Sequence, residues 1–291
     1  MLNTYDQQIN LVNRGLAILK NDGKYTTFKY SRKAMYDYLW YKEPQLKECR
    51  GHVYENDTKK LVQAAPTKCF NYLERHHWSH LPLDTPVEMH KKINGYMACA
   101  TMHNGELVVS TTGTTTSEYA KWARELLNSD YKLHKMLAPD ITTLFEVIVP
   151  QDPHIVQERE GLHLLGMREK NTGKFHPLGD FTHCTLKQAI SIATEDRGEG
   201  FMIYPMLPTG RYDYNNCCKL KSLYYVDKKK LMRMTAKNIE LMYTRTANAF
   251  DYLGLSEVWK FAPNLIIEHH SKEAWCNMTD QQRRKFLEYI E

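Results

Sequence analysis

Residues 90–113 read HKKINGYMACATMHNGELVVSTTG. Residues 96–102 and 106–112 are rich in strand formers, and the linker between them ends in Asn104-Gly105. Asn-Gly between apolar runs is a strong hairpin signal, because both residues tolerate the left-handed backbone of a tight turn. Two adjacent lysines, Lys91 and Lys92, stand just before Gly95 at the mouth of this hairpin. They are either solubilising charges or a place where an amine does chemistry.

Strand signals recur on both sides of the hairpin. Downstream, TTLFEVIVP (142–150), GLHLLGMRE (161–169), GEGFMIYPM (198–206) and CCKLKSLYY (217–225) read as strands, with a helix over 117–127 capped by Ser117. Upstream, CRGHVYENDTKKLVQAAP (49–66) reads as two short strands about a turn. KCFNYLERHHWSHLPLDTP (68–86) is loop-like, and apolar residues over 1–20 predict a helix. Residues 228–291 carry helical periodicity and few strand signals. The expectation is an α+β body over 1–230, built on antiparallel sheets with flanking helices, followed by a helical C-terminal domain over 231–291.

The 291 residues suffice for one large domain plus an appendage. Hydrophobic residues make up 42% and charged residues 25%, an ordinary globular composition. No apolar run reaches the ~18 residues of a membrane span, and residues 1–10 lack the basic-then-apolar pattern of a signal peptide. A cytoplasmic protein is expected. Seven cysteines, an odd and scattered set, fit reduced thiols. The net charge of +5 permits an anionic partner without requiring one. Cys69, His76, His77 and His80 fall close together, but at no familiar zinc spacing. There is no G-x-x-x-x-G-K-[ST] phosphate loop.

Five residues form a chemical set. Lys92 stands three residues before Gly95. Glu146 lies within an apolar strand, where an unpaired carboxylate is costly and needs a cation, a metal or a sugar hydroxyl. Glu199 precedes Gly200. Lys219 and Lys221 are two apart in a strand and so share one face. Their mutual repulsion would be relieved by a bound anion.

The order of these pieces resembles the nucleotidyltransferase motifs of ATP-dependent ligases and capping enzymes, and most closely the RNA ligase 1 family of bacteriophages. KING (92–95), LFEVIVPQDPHIV (144–156), LHLLGMRE (162–169), EGFMI (199–203) and KLKSLYY (219–225) carry the resemblance. ECRGHVYE (48–55) and PTKCFNYLE (66–74) are similar to stretches typical of the RNA ligases. The resemblance implies a ligase that joins a 5′-phosphate to a 3′-hydroxyl on RNA. A lysine attacks the α-phosphorus of ATP, AMP passes to the RNA 5′-phosphate, and the 3′-hydroxyl displaces it. It makes Lys92 the nucleophile, with Lys219 and Lys221 on the α-phosphate and, together with a bound metal, lowering the pKa of Lys92. Arg50 and Lys68 would contact the triphosphate, Phe70 would line the nucleotide, and Met202 would lie on the adenine. Gly95 belongs to the nucleotide site, Glu146 would hold the ribose, and Tyr225 would stand at the phosphate end.

By the same resemblance, Glu199, with Glu146, would organise Mg²⁺, for which Mn²⁺ could substitute. The RNA would be single-stranded or a broken tRNA loop, in RNA repair, with a separate enzyme healing the ends. A monomer in a host cytoplasm, away from membranes, is expected. Asn94 stands where this pattern usually has Asp. The alternatives are a DNA ligase or capping-type enzyme, which usually carries a barrel after the last motif, and a non-catalytic RNA-binding relative.

Overall fold

The computed structural model describes residues 2–291. In chain order the strands are β1 (Ala17–Asn21), β2 (Tyr25–Tyr30), β3 (Arg50–Glu55), β4 (Leu61–Gln63), β5 (Phe70–Asn71), β6 (Pro86–Lys91) and β7 (Tyr96–His103). They continue as β8 (Glu106–Ser110), β9 (Ile141–Ile148), β10 (Gly161–Glu169), β11 (Phe175–Pro177), β12 (Phe181–Thr185), β13 (Gly200–Pro205) and β14 (Cys218–Lys221). The helices that bear on the site are α1 (Tyr5–Asn13), α2 (Arg32–Tyr36), α3 (Glu118–Ser129), α4 (Tyr131–Lys135), α5 (Leu186–Glu195) and α6 (Leu223–Met232). Five more follow α6 among the described residues, from Ala236 to Tyr289. No described helix is long and apolar enough to cross a membrane.

The fold is mixed α+β. An N-terminal sheet has the order β1-β2-β3-β4, a second β11-β10-β9-β7-β8, and a third β12-β6-β13-β14-β5. Pairing is antiparallel except between β5 and β14. The hairpin forms as its sequence predicts, with Asn104 and Gly105 at φ +51° and +79°. Ser117 caps α3 by accepting from the Ala120 amide, and α3 buries Ala123 and Leu127 against Phe145 and Val147 of the second sheet. Helix α5 does the same for the third sheet through Leu186, Ala189 and Ala193.

Two expectations change. The helix expected over 1–20 ends at Asn13, because Gly15 turns the chain at φ +69° and residues 17–21 pair with β2. Ile18 and Leu19 are exposed strand residues rather than members of a helical face. The signal lay in Asn21-Asp22-Gly23, a turn that joins two strands. The run CCKLKSLYY is also divided: Ser222 caps α6, so Tyr224 and Tyr225 are helical.

Helix α6 runs across the expected boundary at 230/231. Its Tyr224, Tyr225, Leu231 and Met232 belong to the same core as Trp259, Ile266, Trp275 and Leu287. Lys228, 2% exposed, donates to the Tyr224 hydroxyl at 2.8 Å and faces Glu288 and Glu291 at 3.6 Å.

Under the N-terminal sheet, His52 is fully buried with Glu48 at 3.5 Å. Burial pushes its pKa down to about 4, with Glu48 opposing and Arg168 adding to the fall. The unfolded chain therefore binds a proton that the fold refuses, and stability rises with pH between those two pKa values. Urea unfolding should show the fold losing about 3 kcal/mol from this group as pH falls from neutrality through about 4. His52→Phe should remove that part of the slope.

Candidate active site

Three strand ends meet at one point. Lys91 ends β6 opposite Phe201, and the Lys92 amide donates to the Gly200 carbonyl at 2.9 Å. On the other edge of β13, Gly200 pairs with Lys221 and Met202 with Lys219. Gly200 sits at φ +114°, and a Cβ there would lie 2.1 Å from the Leu220 carbonyl oxygen. Only glycine lets β14 come this close. That approach brings Glu199 between two cations: Lys92 Nζ donates to its Oε2 at 3.0 Å, and Lys221 Nζ pairs with its Oε1.

The second sheet supplies Glu146 from β9, opposite Met97. Its Oε1 accepts the Gly95 amide at 3.0 Å and lies 4.0 Å from Lys92 Nζ. A Cβ on Gly95 would meet the Val147 carbonyl at 2.6 Å and Glu146 Cγ at 2.9 Å. The spacing Lys-x-Asn-Gly is thus a packing requirement: the glycine lets the loop after Lys92 lie flat on β9. Asn94, 4% exposed, donates from Nδ2 to Glu199 Oε2 at 2.8 Å and accepts the Val156 amide at 2.9 Å. An aspartate would set a second carboxylate against Glu199. The amide is matched to its partners where that acid would need a cation.

These side chains line a cavity of about 420 Å³, within the range of small-molecule sites. Lys92, Gly95, Glu146, Glu199, Met202, Lys219, Lys221, Tyr225 and Arg50 all line it. The alternation argument holds, since Lys219 and Lys221 reach the same cavity. Tyr225 comes from α6 with its ring 4.7 Å from Lys221 Nζ. Lys68 and Phe70 do not line it. Thr67 and Cys69 do, and intervening residues of an extended chain point the other way. Phe70 packs instead against Tyr38 and Trp40, and Lys68 lies over the Phe70 ring at 5.0 Å.

Asn94, His90, Tyr204, Cys217 and Lys229 border or support the cavity without having been singled out as binding groups. Lys229 was legible in principle, lying one helical turn after Tyr225. The others carry no local pattern. Behind the Arg50 wall, Glu48 binds Arg168 at 3.0 Å and accepts from Thr67 at 2.6 Å.

Burial disfavours the Lys92 ammonium, but Glu146 and Glu199 more than offset it and hold its pKa above the usual lysine value. Lys219 and Lys221 do not win in this state, because two carboxylates stand nearer to Lys92 than any anion-free cation pair can counter. Lys221 is pushed down to about 8 by burial, which Glu199 opposes and Lys92 reinforces. Glu199 stays below the usual carboxylate range despite burial, held there by Lys92 and Lys221. Burial raises Glu146, with Lys92 opposing the rise and Glu199 adding to it.

Among the described residues, no cluster of three or more His, Cys, Asp or Glu could hold a metal. Mg²⁺ needs no such cage, since it takes one or two carboxylates and completes its shell with waters and phosphate oxygens. Glu199 and Glu146 face one cavity and fit that role.

No protein-family profile matches the sequence, and no curated protein matches it. Among solved structures, an archaeal ATP-dependent RNA ligase in one crystal form aligns over 99% of this chain and 75% of its own, at 15% identity and TM-score 0.50. A second form of an archaeal ATP-dependent RNA ligase aligns over 97% and 74%, again at 15% and 0.50. The chain shares that fold.

Two outcomes test the geometry. Glu199→Gln removes a negative partner from both ammonium groups, so the titration midpoints of Lys92 and Lys221 should both fall. Competitive acetylation of the ligand-free protein, read by peptide mass, measures each. Gly95→Ala should destabilise the fold by about 1–3 kcal/mol through overpacking, visible as an earlier urea midpoint.

Proposed function

We propose that this chain is an ATP-dependent RNA ligase that works through AMP carried on Lys92. The observation that supports this best is the meeting of Lys92, Glu146, Glu199, Lys219 and Lys221 around one cavity from four separate stretches of chain. The fold shared with an archaeal ATP-dependent RNA ligase points the same way.

In this reading Lys92 Nζ attacks the α-phosphorus of ATP, a P–N bond forms, and the bond to pyrophosphate breaks. The RNA 5′-phosphate then displaces Lys92, and the 3′-hydroxyl displaces AMP. Lys219 and Lys221 act as compact charges on the α-phosphate, where negative charge is held through the transition state. Met202 offers an apolar surface to the base, and Glu146 an acceptor to the ribose. The nucleophile must shed its proton first, so the tight pairing with Glu199 is a resting state. Mg²⁺ or Mn²⁺ at Glu199 would supply positive charge to the phosphates and compete with Lys92 for the carboxylate. Lys92, rather than Lys91, holds the place beside Glu146 and Glu199; Lys91 pairs with Asp196 and lies over the Phe201 ring at 5.0 Å.

The DNA ligase and capping-type alternatives would be favoured by a barrel after β14. Every described element there is helical.

Incubation with radiolabelled ATP and Mg²⁺ should leave covalent AMP on the protein. Lys92→Ala should abolish it, and Lys91→Ala should still form it, because the Lys91 amine pairs with Asp196 and not with Glu199. Label persisting on Lys92→Ala would sink the assignment. Single-stranded 5′-phosphorylated RNA and tRNA fragments should then be sealed in preference to nicked duplex DNA.

A further inference from the structure

A run of cations without carboxylate partners leads out of the cavity. Among the described residues, Lys92 and Lys221 are ion-paired, whereas Arg50, Lys219, Lys68, Lys47 and Arg75 make no salt bridge. Arg50 and Lys219 line the cavity. Lys68 stands close enough to both that they help lower its pKa, after burial, to about 8.

Aromatic rings carry the path onward. Lys68 and Lys47 lie over Phe70, at 5.0 and 5.8 Å, and Lys47 also lies over Tyr41 at 5.4 Å. Tyr38 bridges the rings, 5.7 Å from Phe70 and 6.1 Å from Tyr41, with the Arg75 guanidinium 4.8 Å above it. Tyr41 ends the path in solvent, 62% exposed.

The backbone beneath is held in an unusual state. Tyr38, Leu73, Arg75, His76 and Trp78 all have φ between +46° and +67°, a region that residues with a side chain rarely adopt. The Tyr38 hydroxyl donates to the Glu74 carbonyl at 3.2 Å and ties the two loops together. The nearby Glu74 carboxylate accepts from the amide and side chain of Asn71 and from none of these cations. Strained backbone of this kind persists where its surroundings over-determine it, and it clusters at functional surfaces.

Chemistry says what should lie there. Displacement at phosphorus is in line, so the entering and leaving groups occupy opposite sides. Pyrophosphate leaves on the side away from Lys92. When Lys92 is the leaving group, the RNA 5′-phosphate oxygen must enter on that vacated side, and the polyanion that was there needs unpaired cations. We propose that Tyr38, Tyr41, Lys47 and Arg75 form the platform on which the 5′-phosphorylated single strand of RNA stacks as it enters the cavity. The proposal rests on the ligase reading for its direction. In the step it serves, the RNA phosphate oxygen forms a bond to the AMP phosphorus, the P–N bond to Lys92 breaks, and the amine takes up a proton.

The test measures binding and chemistry separately. The probe is a fluorescein-labelled, 5′-phosphorylated RNA of about ten nucleotides, within the ~4–16 nucleotides that such grooves hold. By anisotropy, Tyr41→Ala should weaken binding about tenfold, and Tyr41→Phe, which keeps the ring, should bind as wild type. Lys47→Ala should reduce the slope of log affinity against log salt by ~0.7. Tyr41 is a surface residue, so unfolding is not expected, and a thermal melt of each variant checks this. Lysyl-AMP formation should be unchanged in all three, since none of them lines the cavity.

Wild-type protein that binds no RNA, or a Tyr41→Ala and Lys47→Ala double variant within twofold of wild type, overturns the platform. RNA binding that depends on these residues in a protein forming no lysyl-AMP would support the platform and sink the ligase reading.

Discussion

The Glu199 carboxylate is the interaction on which the site depends. It is 4% exposed and takes Lys92, Lys221 and Asn94 at once. A carboxylate in that position is tolerable only with those donors, and stripping a partner from a buried ion pair is strongly destabilising, by about 3–5 kcal/mol. Lys92 and Asn94 come from the loop between β6 and β7 and Lys221 from the end of β14, and they meet because Gly200 has no Cβ. The backbone constraint comes first, the charge cluster second, and the held ammonium of Lys92 third.

The resting cluster is balanced in one part and unbalanced in another. Lys92 and Lys221 are neutralised by carboxylates, while Arg50 and Lys219 face the same cavity without them. Such an arrangement favours an anion at the unpaired cations, while the two carboxylates keep Lys92 protonated. In the paired part, Glu199 stands between Lys92 and Lys221, and Asn94 adds an amide that both donates and accepts.

Much of this was legible in the residues. The Asn104-Gly105 hairpin, the Ser117 cap, the cofacial Lys219 and Lys221, and the helical C-terminal region follow from turn chemistry and period. The convergence of Lys92, Glu146 and Glu199 was legible only through the order of short stretches, since no local rule links positions so far apart in the chain. Three features escaped. The strand at Ala17–Asn21 was masked by an apolar run that happens to fit a helical period. Phe70 and Lys68 were assigned to the cavity by position in a pattern, yet neither lines it: Phe70 turns into the N-terminal core and Lys68 lies over its ring. The proton affinity of Lys92 could not be read at all, because it depends on two acids whose distances are set by tertiary packing.

Helix α6 has a consequence for how the protein could be rebuilt. It begins one residue after β14, gives Tyr225 to the cavity, and buries Tyr224, Leu231 and Met232 in the core of the C-terminal helices. The two halves of the chain therefore share a structural member rather than a hinge. A chimera that exchanged the C-terminal helices for foreign ones would have to keep Ser222 to Arg233 and recreate the apolar socket around it. Cutting the gene at the apparent end of the sheet would remove a wall of the cavity along with the appendage.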